Sequence, residues 1–296
     1  MIRIPVVFNL FNMNQKNILI ADSGSTKTDW CLLGKGKPIR LETQGITPYF
    51  QTSLQIEEIL NRDLIRGLGV QKKIDEIFYY GTGCANPSNV SLIKKALHVT
   101  FPAANIIINH DLMGAARALC GNEKGIACIL GTGSNSCYFN GKKIVRNNPG
   151  LGFILGDEGS GAYFGKEVLQ YYFYSNFDPD LLARFEEKFP WSKDQILDNI
   201  YKMPLPNRYL ASFAPFLQEN RGHFMVENII VDGLNEFFFN HIIKYRESCK
   251  VPIHFVGTIA WIFRDILAEI CQGNDLEIGQ VLQKPMDGLI KFHLNA

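Results

Sequence analysis

The run Asp22-Ser23-Gly24-Ser25-Thr26-Lys27-Thr28 lies between two apolar stretches, Ile18 to Ala21 and Asp29 to Leu33. Glycine, serine and threonine in a tight turn let backbone N–H groups and hydroxyls converge on an anion, which suits a phosphate. A polar hairpin uses the same residue types, so this turn alone leaves both readings open. Gly131-Thr132-Gly133-Ser134, after Ile126 to Leu130, leaves the same two. Together the turns say more, because facing cradles can clamp a triphosphate from both sides. Neither has P-loop spacing, and no GxGxxG follows a strand, which disfavours those phosphate-binding solutions. Asp22, ending the first strand beside the phosphate turn, is placed to hold magnesium through water, since that ion keeps much of its hydration shell. Its alternative is a bond to its own turn backbone.

Asp111 follows the apolar strand Ile106 to Ile108 and opens a helix. It is either a helix cap or a general base that takes the proton from a substrate hydroxyl attacking a terminal phosphoryl group. As a base beside phosphate oxygens it is expected to have a raised pKa. From Gly150 to Gly161, five glycines surround the adjacent acids Asp157 and Glu158 just before a helix. Acids suit a helix start through the dipole. So many glycines, Gly152 among them, also let backbone approach a ligand, with Asp157 accepting hydrogen bonds from sugar hydroxyls. Gly257-Thr258 ends a strand and starts a helix, where an adenosine can rest. The six histidines show no metal spacing, and Cys120, Cys128 and Cys137 read as packing residues.

The elements that must position these residues form a repeat. Strand, glycine turn, strand, tight turn and strand run from Ile18 to Leu41. The same order returns from Ile126 to Arg146, roughly 109 residues later. Duplication of this kind predicts two like α/β domains with a ligand cleft between them. Helices are expected from Thr52, with Gln55 completing a capping box, and from Asn86 with Pro87 at its first position. After Glu158 the chain reads as mostly helical, with one late strand, Ile253 to Val256, and a closing helix from Val281. The expected division is an N-terminal extension at 1–17, a first domain at 18–115 and a second at 116–280 with helical insertions. The closing helix, 281–296, is expected to pack on the first domain.

Composition bounds the function. Hydrophobic residues at 46% and charged residues at 20% fit an ordinary folded enzyme and not a disordered chain. A net charge of +1 supplies no field for nucleic acid or an anionic membrane. Seven scattered cysteines without a CxxC pair argue against a disulfide framework and for a reducing, cytoplasmic setting. No apolar run reaches the roughly 18 residues of a membrane span.

Taken together, ADSGSTKTDW, the strand ending in HDLMGAARA, LGTGSNS, GFILGDEGSGAYFG and FVGTIA resemble the BadF/BadG-type ATPase family, within it the N-acetylglucosamine kinases. The resemblance runs from about residue 18 to the end and implies the actin-like ATPase (ribonuclease H-like) fold, shared with hexokinases, in which two duplicated domains close over ATP. It implies one phosphate turn at Asp22, Gly24, Ser25, Thr26 and Lys27, and another at Gly131, Thr132, Gly133 and Ser134. Gly257 and Thr258 match its adenosine motif, and Asp111 its catalytic base. Asn135 and Asp157 match sugar-contacting positions. Thr47 stands where relatives often place a sugar-holding Asn, and Leu151 where the animal enzyme has an aromatic.

The resulting expectation is a cytoplasmic sugar kinase using ATP and Mg2+. It phosphorylates N-acetylglucosamine or a related amino sugar at the 6-hydroxyl, binding the sugar through Thr47, Asn135, Gly152 and Asp157. No nucleic-acid or membrane partner is expected, and a homodimer is compatible. Two alternatives share the scaffold: an ATPase that activates a dehydratase through an iron-sulfur cluster, and a non-catalytic sugar sensor. Leu-Met-Gly-Ala after Asp111 departs from the Gly-Gly-Gln-Asp typical of such activators. No helix-turn-helix precedes Ile18.

Overall fold

The computed structural model describes residues 16–24, 26–69 and 73–295 and divides into two compact units, Met1–Asp111 and Leu112–Ala296. Ser25 and most of the expected N-terminal extension, residues 1–15, lie outside the described residues. Asn17 is part of the fold: its N–H donates to Asp75 Oδ2 at 2.9 Å and its carbonyl accepts from Asp75 N at 3.0 Å.

The first unit is a five-stranded sheet of β1 (Ile18–Ser23), β2 (Lys27–Leu33), β3 (Ile39–Gln44), β4 (Glu76–Gly81) and β5 (Asn105–His110) in the order β3-β2-β1-β4-β5. β1, β2 and β3 are antiparallel neighbours, whereas β4 runs parallel to β1 and β5 to β4. The second sheet holds β6 (Lys124–Leu130), β7 (Ser134–Asn140), β8 (Ile144–Asn148), β9 (Ile253–Val256) and β10 (Ile278–Leu282). Its order is β8-β7-β6-β9-β10, with the same pattern of parallel and antiparallel pairs. Each strand of one sheet therefore has a counterpart in the other, and the repeat read from three strands extends to five.

Side-chain alternation explains why both faces of the second sheet are covered. Along β6, Ile126, Cys128 and Leu130 face one core, which also holds Phe177, Phe185, Phe213 and Phe216 from the inserted helices and their connections. Ala127 points the other way, into a core with Leu112, Ala116, Cys137 and Val256. In the first unit Leu19, Ala21, Trp30 and Leu32 pack on Ile56, Leu60 and Ile93.

Local signals hold where the chemistry is strong. Thr52 caps Ser53–Ile59 with the Gln55 capping box in place, and Asn86 caps Pro87–Thr100. The tail differs from expectation. Residues 278–282 form the parallel strand β10, and the helix begins only at Met286. Pro285 accounts for the delay, since a residue before proline is steered away from helical geometry. That closing helix also lies in the second unit: a Cβ on Gly288 would stand 2.2 Å from Ala118 O, and Arg117 sits 5.1 Å over the Phe292 ring. Ala118 belongs to Asp111–Cys120, whose apolar face packs on the second sheet, so the units part at 111/112 and not at 115/116. Among the described residues no helix is long and apolar enough to cross a membrane.

Candidate active site

In the first unit, the candidate residues gather at the carboxyl ends of the parallel strands, where ligands of open α/β sheets bind. Asp22 pairs with Tyr80 across β1 and β4, and Tyr80 with Asn109 across β4 and β5. Asp111 follows β5 directly and opens the helix Asp111–Cys120. Two strand spacings separate the ends of β1 and β5, about 10 Å at the usual interstrand distance.

The first glycine turn is short and internally bonded. Gly24 N donates to Lys27 O at 3.0 Å, and Ser23 Oγ meets Thr28 Oγ1 at 2.8 Å in the buried pair beneath the turn. Thr26 is exposed, and its carbonyl accepts from Gly45 N at 3.0 Å. The Lys27 ammonium has a local partner, Glu42 Oε2 at 3.0 Å on β3.

Thr47 belongs to a turn held by its own carbonyl, which accepts from Phe50 N at 3.0 Å, and by its N–H, which donates to Gln51 Oε1 at 2.6 Å. That turn rests on the loop after β4. Gly83 there has φ 76°, and a Cβ on it would stand 2.8 Å from Tyr49 Cε2. The same loop carries Cys84, whose thiol is pushed up to about 12, first by burial and then by the nearby Asp111 charge. Burial pushes His110 down, with Asp111 opposing. Thr47, the Cys84 loop and Asp111 thus share one end of the first sheet.

The second unit gathers its residues more tightly. Gly131 N donates to Gly133 O at 3.0 Å, which closes the second glycine turn. The helix Gly161–Phe173 starts against that turn, with Gly161 N donating to Gly131 O at 2.8 Å and Ala162 N to Thr132 O at 3.0 Å. Gly257, at φ 128°, crosses the turn from the other side: a Cβ there would stand 2.2 Å from Leu130 O and 3.1 Å from Gly131 N. Thr258 opens the short helix that follows and is exposed.

Asp157 closes this arrangement. It has φ 58°, is 9% exposed, and its Oδ1 accepts from Ser134 N at 3.3 Å. A Cβ on Gly133 would stand 2.9 Å from Asp157 Oδ2, so only glycine lets the carboxylate settle on the turn. Burial pushes the Asp157 carboxyl up; the Ser134 N–H opposes this, Glu158 adds to it and His241 opposes it. Asn135 Oδ1 accepts from Ser136 N and from Asn147 Nδ2, both at 2.9 Å. Gly150 presses on Ser134 O, and Gly152, at φ 75°, opens an exposed turn of helix ending at Leu155.

Two observations bear on whether this turn suits a phosphate. Ser134 Oγ is buried without a hydrogen-bond partner, and open space surrounds the position a Cβ on Gly131 would take. An unsatisfied buried hydroxyl beside a glycine cradle matches an anion's need for donors.

Sequence reasoning did not find Asn240 and His241, which hold Glu158 from 82 and 83 residues away. The paired acids Asp157 and Glu158 were the available signal; nothing in the sequence marks their distant partners. Cys120 and Cys137 lie in one buried core and Cys128 in another. His254 is a buried structural group, its Nδ1 accepting from Gln280 N at 2.9 Å.

No family model matches the chain, and no curated protein matches it. Solved structures do. A proposed N-acetylglucosamine kinase from Porphyromonas gingivalis is 38% identical, over 94% of this chain and 99% of its own, with a TM-score of 0.90. Another from Chromobacterium violaceum shares the fold at 17% identity and a TM-score of 0.74, over 94% of this chain and 98% of its own. A ROK family glucokinase from Streptomyces griseus, in complex with glucose and AMPPNP, also shares it, at 14% identity and a TM-score of 0.53 over 96% and 99% of the two chains.

Proposed function

The chain belongs to the BadF/BadG-type ATPase family, among the N-acetylglucosamine kinase-like members of the actin-like ATPase and hexokinase superfamily, and on that premise we propose how it works as an ATP-dependent sugar kinase. Its acceptor is N-acetylglucosamine or a related amino sugar, phosphorylated at the 6-hydroxyl. The observation that carries this reading is the convergence of the second glycine turn, Asp157 and Gly257 at one end of the second sheet.

Gly131 to Ser134 supply the cradle for the nucleotide's phosphates, with Ser134 Oγ as a ready donor. Asp22, Gly24, Ser25, Thr26 and Lys27 serve as the matching cradle of the first unit. Lys27 reaches a phosphate only by leaving Glu42, an exposed pair worth at most about 1 kcal/mol. Gly257 and Thr258 border the adenosine. Asp22 would hold Mg2+ through water, and the ion would supply charge neutralisation for the transferred group.

On the acceptor side, Asp157 accepts from sugar hydroxyls, Asn135 offers its Nδ2 because its Oδ1 is taken, and Gly152 and Thr47 supply backbone and hydroxyl contacts. Asp111 takes the proton of the acceptor hydroxyl as its oxygen attacks. Its place at the end of β5, beside the Thr47 turn, supports that role. Seven free cysteines agree with a cytoplasmic setting.

The test is a coupled ATP-consumption assay across amino sugars and hexoses, with 31P NMR to locate the new phosphoester. Asp111→Asn is expected to lower kcat by roughly 10²–10⁴-fold. Full activity in that variant removes the base, and turnover with glucose alone changes the acceptor.

A further inference from the structure

Behind Asp157 lies a polar cluster that the reaction outlined above leaves unused. Glu158 Oε1 accepts from Asn240 Nδ2 at 3.3 Å, and its Oε2 accepts from His241 Nε2, also at 3.3 Å. The Glu158 and His241 side chains are 17% and 5% exposed. His241 stands on a π-helical turn, Phe238–Ile242, that ends the helix Phe224–Phe237. Single π turns of this kind recur at functional sites, where the extra residue re-aims a side chain. The ring stacks on Phe237 at 4.8 Å and 22°, which fixes its plane.

The turn is anchored as well. His241 O accepts from Asn148 Nδ2 at 2.7 Å, Asn148 N donates to Tyr245 Oη at 2.9 Å, and Tyr245 Oη meets Ser136 Oγ at 2.8 Å. The loop carrying Asp157 is seated on the same helix: a Cβ on Gly159, at φ 68°, would stand 3.1 Å from Phe237 Cβ. We infer that Glu158 and His241 act as a positioning pair, pinning the Asp157 turn to this helix end so that the Asp157 carboxylate stays on the second glycine turn.

This role rests on the sugar-kinase reading for its consequence in catalysis. The groups near the pair are Asp157, Tyr163, Glu236 and Asn240. A Gln at 158 keeps an acceptor for only one of Asn240 and His241 and removes a negative charge next to Asp157. The Asp157 carboxyl, raised first by burial and further by Glu158, then titrates at lower pH.

Two measurements on the full chain test the pair. Carboxyl 13C NMR without ligands, assigned through Asp157→Asn, follows the Asp157 titration directly. Acceptor kcat/KM against pH follows it through function. Glu158→Gln is expected to move both the titration and the acid limb to lower pH. His241→Asn is expected to raise the acceptor KM roughly tenfold, as for one lost charged hydrogen bond, with less change in kcat. An unmoved titration in Glu158→Gln, or an equal loss at every pH with an unmoved limb, overturns the pair. A wild-type chain inert toward every sugar, with the NMR shift intact, supports the pair and overturns the sugar-kinase reading.

Discussion

The Asp157 carboxylate is buried, has a left-handed backbone, and titrates above its ordinary value near 3.8. Ionising it near neutral pH therefore opposes folding. The penalty is absent below 3.8, where both folded and unfolded chains hold the proton. It grows as pH rises from there and is complete above the folded value. Asp157→Asn removes the charge, keeps an acceptor for Ser134 N, and suits φ 58°. A higher melting midpoint at neutral pH is expected, with the gain shrinking on acidification, together with a large loss of kcat/KM for the acceptor. Calorimetry at several pH values checks the first part; a destabilised variant would mean the carboxylate has an unrecognised folded-state partner. Asp111 stands differently. It is the first residue of its helix, and the isosteric amide keeps its shape there, so Asp111→Asn is expected to spare most of the stability while kcat falls.

At the scale of elements, two other chain segments meet the second glycine turn. The helix Gly161–Phe173 donates to the Gly131 and Thr132 carbonyls, and the bend at Gly257 lies against Leu130. Gly257→Ala brings a methyl group within 2.2 Å of Leu130 O at φ 128°, so strain and overpacking together cost roughly 2–6 kcal/mol. Denaturant titration is expected to show that loss, and the KM for ATP to rise, because the turn must shift to make room. A variant with normal stability and normal KM would show that the close approach relaxes freely. The capping box at Thr52 and the proline start at Pro87 were legible because caps are local chemistry. β10 was not, because Ile278–Leu282 is a short, half-buried edge strand whose identity comes from pairing with β9.

For the whole molecule, a nucleotide that binds only the folded chain must stabilise it. At a hundredfold excess over its Kd, the magnesium complex of AMPPNP is expected to add about 2.7 kcal/mol and raise the melting midpoint by several degrees. EDTA is expected to cancel most of the shift if Asp22 holds the ion. No shift with either nucleotide or N-acetylglucosamine would count against both sites. The sequence by itself determined the duplication, the two glycine turns, the capped helices and the acids at strand ends, because each depends on residues near one another in the chain. Only the tertiary structure decided that the closing helix lies on Asp111–Cys120, that Asp157 is fastened to Ser134, and that Glu158 is held by Asn240 and His241. Those contacts depend on how sheet and inserted helices pack, and packing partners distant in sequence leave no periodic trace in it.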